Sequence, residues 1–313
     1  MKEALFRLGI ISLVSISGAA ILLVALRTLG FTQIYSPVRH PLAERDFILI
    51  AKGGALGSAP SHTALAFDQA LEIYPNSVLE ATIQRTADGE WVLFEHQKLE
   101  LQTDGAGRVG NHTLAELKNL NAGHYYQDPN SGQFQHRDLG LQLMTLDEFL
   151  DRYPEQEFVL NVEMRYPFMV SELIGKLSDR SLDGRVIIRS PYSHVLREIK
   201  KHYPRWLYKT DPATLFRASI MGSLYIESVS NIWTDIVLTT LGEGEGDISN
   251  RMLSEIKRRK KILILDEDKN FSALSDSLSD HIQGVATSRP DLALEYFADR
   301  LEDTGGPLSK EVD

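Results

Sequence analysis

The chain contains no cysteine, which excludes disulfides, thiolate metal sites and a cysteine nucleophile. Such a chain is compatible with either redox compartment. Positive charge is also scarce. Against 43 aspartates and glutamates stand 33 lysines and arginines, giving a net charge of −10 and a pI near 5.4. A surface of that sign repels a phosphate backbone and argues against a nucleic-acid partner. Long apolar runs are missing as well, with one exception. Residues 8–26, LGIISLVSISGAAILLVAL, carry no charge. As a helix this run would reach about 28 Å, close to the thickness of a bilayer core. A cleaved signal peptide would need a small-x-small exit, which Leu26-Arg27-Thr28 does not offer. A buried core helix is rarely apolar on every face. The expectation is a single-pass membrane anchor over residues 1–29, with the lipid bilayer as its partner. Lys2 and Arg7 precede the span and Arg27, Arg39 and Arg45 follow it. That distribution separates the two sides only weakly, and the domain is expected outside the cytoplasm.

Residues 30–46, with Pro37 and Pro41, read as a linker. Beyond it short apolar runs alternate with helical patterns. The expected strands are Phe47–Ala51, Val78–Ile83, Trp91–Phe94, Phe158–Met164, Arg185–Arg189, Trp206–Lys209, Asp235–Thr239, Lys261–Leu265 and Gly284–Thr287. The expected helices include Thr63–Ile73, Thr113–Leu120, Leu146–Arg152, Phe168–Leu177, His194–Lys201, Pro212–Asn231, Ser249–Arg259 and Phe271–Leu278. Strands alternating with helices imply parallel pairing through crossover helices. With Trp91–Phe94 set aside as a hairpin, eight strands remain, the number that closes a (β/α)8 barrel. The barrel is assigned to residues 47–300, with 97–143 as an insertion and 301–313 as a disordered tail. Two glycine-rich stretches are decoys. Gly105 to Gly110 matches G-x-G-x-x-G, but the polar residues Lys98, Glu100, Gln102 and Asp104 precede it where a dinucleotide site needs a buried strand. Gly242 to Asp247 carries three carboxylates and would repel a phosphate.

A series of short motifs then recurs in order. Leu49-Ile50-Ala51-Lys52-Gly53-Gly54 is followed by Pro60-Ser61-His62-Thr63, Glu80-Ala81-Thr82, Thr86-Ala87-Asp88-Gly89 and Phe94-Glu95-His96. Thr103-Asp104-Gly105-Ala106-Gly107, Leu143-Met144-Thr145-Leu146-Asp147-Glu148, Asn161-Val162-Glu163-Met164-Arg165 and Gly284 to Asp291 complete it. The series resembles the glycerophosphodiester phosphodiesterase family, a TIM barrel of the phospholipase-C-like phosphodiesterase type. There the motifs read A-H-R-G, P-E-N-T, E-L-D, T-x-D-G, F-H-D, T-D-G-x-G, I-P-T-L-E-E, N-x-E-x-K and G-(I/V)-I-T-D-R-P-D.

The resemblance implies a role for each position. Two histidines serve as acid and base, and here they are Lys52 and Glu95. Three carboxylates hold a hard divalent cation, and here they are Glu80, Thr82 and Glu163. The phosphate-contacting arginine is Gly53 and the lysine is Arg165. His62 and His96 are the candidates to replace the lost histidines, and Ca²⁺ or Mg²⁺ would be the cofactor only if catalysis survives. Lys52 is expected to set its ammonium between Glu80 and Glu163, where the cation would otherwise bind. The first functional reading is a membrane-anchored, catalytically impaired pseudoenzyme that binds a glycerophosphodiester or lipid headgroup. The alternative is a divergent metal-dependent hydrolase. A third is an architectural subunit docked on a membrane protein.

Overall fold

The computed structural model describes residues 2–129, 131–241 and 249–302. The elements run α1 (Lys2–Phe31), β1 (Ile48–Lys52), α2 (Ala64–Ile73), β2 (Val78–Arg85), β3 (Trp91–Leu93), α3 (Leu114–Leu117), α4 (Leu146–Arg152), β4 (Phe158–Val162), α5 (Pro167–Ser178), β5 (Val186–Arg189), α6 (Ser193–His202), β6 (Leu207–Tyr208), α7 (Pro212–Ser223), β7 (Ile236–Thr239), α8 (Asn250–Arg258), β8 (Ile262–Asp266), α9 (Asp276–Ser279), β9 (Gly284–Thr287), α10 (Pro290–Tyr296) and α11 (Ala298–Glu302).

The strands pair in the order β6-β5-β4-β2-β1-β9-β8-β7, all parallel, and β3 folds back antiparallel on β2. Thus the expected (β/α)8 barrel forms, with Trp91–Leu93 as the side hairpin. The seam between β6 and β7 is closed by a parallel bridge from Lys209 to Ile236, where Thr210 N–H donates to the Ile236 carbonyl at 2.8 Å.

Strand alternation explains the layering. Side chains two apart share a face, so β1 sends Ile48, Ile50 and Lys52 inward while Leu49 and Ala51 meet the helices. The same parity places Val78, Val159, Ile187, Leu207, Ile236, Ile262, Ile264 and Ala286 in one apolar cluster filling the lower barrel. Leu42, fully buried, joins that cluster from below. Burying such a side chain contributes about 1.5–3 kcal/mol. Within residues 30–46, Val38, Leu42 and Ala43 thus pack under the barrel floor, while residues 31–34, 36 and 37 are exposed. His40 fixes the turn before it, its Nδ1 accepting from the Leu42 N–H at 3.2 Å.

Residues 97–143 form an irregular cap between β3 and α4, with its own cluster of Leu99, Val109, Leu117, Ala122 and Leu143 against Val92 and Phe94. The Gly105–Gly110 stretch is a loop within it. The acidic stretch Gly242–Asp247 lies outside the described residues. Of the expected tail, Leu301 is buried at the close of α11, and 303–313 lie outside the described residues. The N-terminal helix is exposed along its apolar span, with Ser12–Phe31 only 6% buried at a mean hydropathy of 1.9.

Candidate functional site

One step above the apolar layer, the same inward parity brings charge. Lys52 ends β1, with Glu80 directly across from it on β2. Arg189 ends β5, Lys209 follows β6 and Asp266 ends β8. Asn161 on β4 lies opposite Thr82 on β2. The C-terminal ends of the strands thus form a charged mouth, the face where barrel sites are built.

Glu80 sits at the centre of this mouth, 3% exposed. Its Oε1 accepts from Arg189 Nη1 at 2.8 Å and its Oε2 from Lys209 Nζ at 2.8 Å. Burial pushes the Glu80 pKa up, but Lys209 and Arg189 outweigh it and hold it down at about 2. Lys209 is fully buried, and desolvation draws its pKa below the ordinary lysine value against the pull of Glu80. Arg189 is held charged mainly by Glu80, against its own burial.

Lys52 does not lie between Glu80 and Glu163, as the motif reading expected. Its Nζ donates to Asp266 Oδ1 at 2.6 Å and lies 3.2 Å from Asp268 Oδ1. Burial opposes its charge, but Asp266 and then Asp268 prevail and raise its pKa. The cause is positional. Arg189 and Lys209 reach Glu80 from the far side of the barrel, so Lys52 turns to the carboxylates that end β8. Asp268 is fixed in turn by the Ser288 N–H at 2.6 Å.

Thr82 and Glu163 are joined by one residue. Asn161 Nδ2 donates to Thr82 Oγ1 and to Glu163 Oε1, both at 3.1 Å. Glu163 is exposed just past β4. Arg165 is exposed at the rim, its guanidinium stacked 5.5 Å from the Tyr166 ring centroid. Glu95 is exposed on the segment after β3.

His62 occupies an unusual place. It is 2% exposed, with φ at 61°, a left-handed conformation uncommon for a residue with a Cβ. Its Nε2 accepts from the Thr82 N–H at 2.9 Å. Burial lowers its pKa to about 4, with Glu80 opposing and His96 adding to the fall. The ring lies over Gly53. A Cβ at Gly53 would come within 2.9 Å of His62 Cε1, Nδ1 and Ser61 Cβ. The imidazole therefore fills space next to the position where the family motif has its arginine, and the two substitutions fit one another. With Nε2 an acceptor, the ring proton sits on Nδ1, which has no hydrogen-bond partner among the described residues.

His96 has a different setting. It is half-buried and lines a cavity of about 230 Å³ between the β1–α2 loop and the cap, together with Leu56, Ser61, Gln102, Tyr125 and Tyr126. Gln102 donates from Nε2 to the Ser61 carbonyl at 2.8 Å and to the Ala122 carbonyl at 3.2 Å. Its buried Oε1 has no hydrogen-bond partner among the described residues.

Sequence reading missed Arg189, Lys209, Asp266 and Asp268. A signal for three of them was present. Each of Arg189, Lys209 and Asp266 stands an even number of residues beyond an inward apolar residue at the end of an expected strand. That is where a barrel turns from core to mouth.

The fold and this charged mouth define a (β/α)8 barrel of the phosphodiesterase type. The family model described as the glycerophosphoryl diester phosphodiesterase family matches residues 54–213, and the chain belongs to that family. A glycerophosphodiester phosphodiesterase of Bacillus subtilis is 31% identical over 183 residues, covering 55% of this chain and 62% of the relative. The chain spans 62–63% of the length of such curated relatives. Among solved structures, the glycerophosphoryl diester phosphodiesterase domain of an uncharacterised Mycobacterium tuberculosis protein superposes with a TM-score of 0.67 at 18% identity, covering 80% of this chain and 99% of that one. An Oleispira antarctica phosphodiesterase, solved in complex with the product sn-glycerol-3-phosphate, gives 0.61 at 18% identity, covering 80% and 96%.

Proposed function

We propose that this chain is a membrane-anchored pseudoenzyme of its family, a barrel that binds a glycerophosphodiester-like ligand without hydrolysing it. The observation that carries the reading is the state of Glu80. Both its oxygens are taken by fixed cations, Arg189 and Lys209. A divalent ion beside them would meet two positive charges in place of free lone pairs. Thr82 offers only a hydroxyl, and among the described residues no group of three or more His, Cys, Asp or Glu is arranged to hold a metal. The donor set does not fit Ca²⁺ or Mg²⁺, whose shells want several free oxygens. Absence of the two family histidines removes proton-transfer steps worth about 10²–10⁴-fold each.

Binding has support of its own. Gln102 lines the cavity together with Ser61 and His96, and polar side chains of this kind suit the hydroxyls of a glycerol moiety. The aromatic rings of Tyr125 and Tyr126 give that end an apolar wall. The apolar, exposed α1 supports the anchor.

The test is an assay of the full-length protein in detergent with glycerophosphocholine, with and without Ca²⁺ or Mg²⁺. Hydrolysis is expected to stay at background, while glycerophosphocholine raises the melting temperature and Gln102→Leu removes that gain. Turnover that vanishes in Glu80→Gln would replace this reading with the divergent hydrolase. Neither turnover nor binding would favour the architectural role.

A further inference from the structure

The outer face of α7 does not look like the surface of an acidic protein. Phe216 is 66% exposed, Ile220 43% and Leu224 49%, spaced at i, i+4 and i+8, and Tyr225 beyond them is 59% exposed. Such spacing puts them on one side of a helix. The sequence of α7, PATLFRASIMGS, contains no acidic residue. Large apolar patches on a soluble surface mark contact sites.

What covers this face is indicated by where α7 ends. The short turn Glu227–Val229 that follows it receives the C-terminal end of α1. Ser228 Oγ donates to the Arg27 carbonyl at 3.2 Å, and Gly30 is packed so closely that a Cβ would lie 2.3 Å from Ser228 Oγ. Arg258, at the end of α8, donates to the Gly30 carbonyl at 3.2 Å and to the Gln33 carbonyl at 3.0 Å. The apolar α1 is thus fastened to the barrel beside the end of the α7 stripe.

A basic run lies at the same place. Residues 257–261 read Lys-Arg-Arg-Lys-Lys in a chain of net charge −10. Arg258 and Arg259 are occupied by buried Glu255. Lys257 and Lys260 are exposed, with no ion pair among the described residues. An apolar stripe and free lysines beside an apolar helix match an anionic lipid surface in both its acyl and headgroup layers.

We infer that the α7 stripe and Lys257/Lys260 rest on the anionic bilayer that α1 crosses, so that the flank of the barrel carrying α7 lies against the membrane. The inference depends on reading α1 as the membrane anchor. The place of the fastening follows from topology. The turn at 227–229 precedes β7 and the end of α8 precedes β8, so α1 is fastened at the N-terminal ends of the strands, opposite the mouth.

The absence of cysteine makes the test clean. Single replacements Leu22→Cys on α1, Ile220→Cys on α7 and Tyr166→Cys at the rim are spin-labelled in the full chain in vesicles of phosphatidylcholine with phosphatidylglycerol. Collisions with lipid-soluble oxygen and a water-soluble nickel chelate are then compared. Labels at 22 and 220 should favour oxygen, and the label at 166 should favour nickel. Removing phosphatidylglycerol, or replacing both lysines by glutamine, should shift the 220 label towards water. Lipid contact at 22 with water contact at 220 overturns the inference and leaves the anchor standing. Water contact at 22 overturns the anchor, and the inference with it. A label at 220 shielded from both reagents means a protein covers the face, and a 220 label indifferent to anionic lipid removes the electrostatic part. Either result contradicts the inference.

Discussion

At the level of single residues, the mouth is governed by which charges can reach one another. Glu80, Glu163 and Lys52 were legible from motifs, but their pairing was not. Motif order says which strand carries a residue and nothing about what approaches from across the barrel. Glu80 is answered by Lys209 and Arg189, from strands whose sequences match no family motif. Removing one partner of a buried pair leaves an uncompensated charge, at a cost of about 3–5 kcal/mol. Glu80→Gln, which strands the fully buried Lys209, should therefore lower stability by roughly that amount in chemical denaturation, and Lys209→Met with Glu80→Gln should recover a large part of it. Equal losses in the single and double variants would mean that the pair is not coupled as described.

His62 gives a second test, of pH dependence. Its pKa is about 4 in the fold against an ordinary 6.5. Below 6.5 the unfolded chain takes up a proton that the folded one refuses, so stability falls as pH drops from 6.5 to 4. The full loss is roughly 3 kcal/mol by linkage. Glu80, held at about 2 against an ordinary 4.5, adds a second decline between those values, because its ion pairs are lost as it protonates. His62→Gln keeps an acceptor for the Thr82 N–H without a titrating group. Denaturation curves of this variant should show the decline between pH 6.5 and 4 flattened, with the more acidic one retained. An unchanged slope would assign the upper decline to another group.

At the level of elements, the strands were the clearest part of the sequence, since barrel strands are short apolar runs between helical patterns. All eight barrel strands and the hairpin fall where the runs indicated. Helix ends were less legible. The expected helix Pro212–Asn231 stops at Ser223, because Tyr225 takes φ of 60° and the chain tightens into the turn at Glu227–Val229. The expected helix Phe271–Leu278 divides in two. Leu274 is extended, and the Ser275 side chain caps the second piece by accepting from the Leu278 N–H. Such breaks depend on local hydrogen bonds that apolar periodicity does not report. The close of the barrel has its own fixed point at Gly284. A Cβ there would lie 2.3 Å from the Ile48 carbonyl oxygen, which is backbone and cannot swing aside. Gly284→Ala should force β1 from β9 and destabilise the protein by about 1–3 kcal/mol in urea, the scale of overpacking in a full core. A neutral effect would show that this seam relaxes more freely than a packed barrel should.

At the level of the whole molecule, one rule of parity builds both the core and the site. Inward residues are apolar through the lower barrel and charged at the mouth. Barrel packing depends on the lower layer and function on the upper one, so the fold by itself does not fix the chemistry of the mouth. In the function proposed above, Arg189 and Lys209 stand in for a metal at Glu80. Calorimetric titration of the detergent-purified full chain with Ca²⁺ tests it most directly. No saturable heat is expected into the millimolar range for the unaltered protein. Stoichiometric binding that disappears in Glu80→Gln would show a working metal site and contradict it.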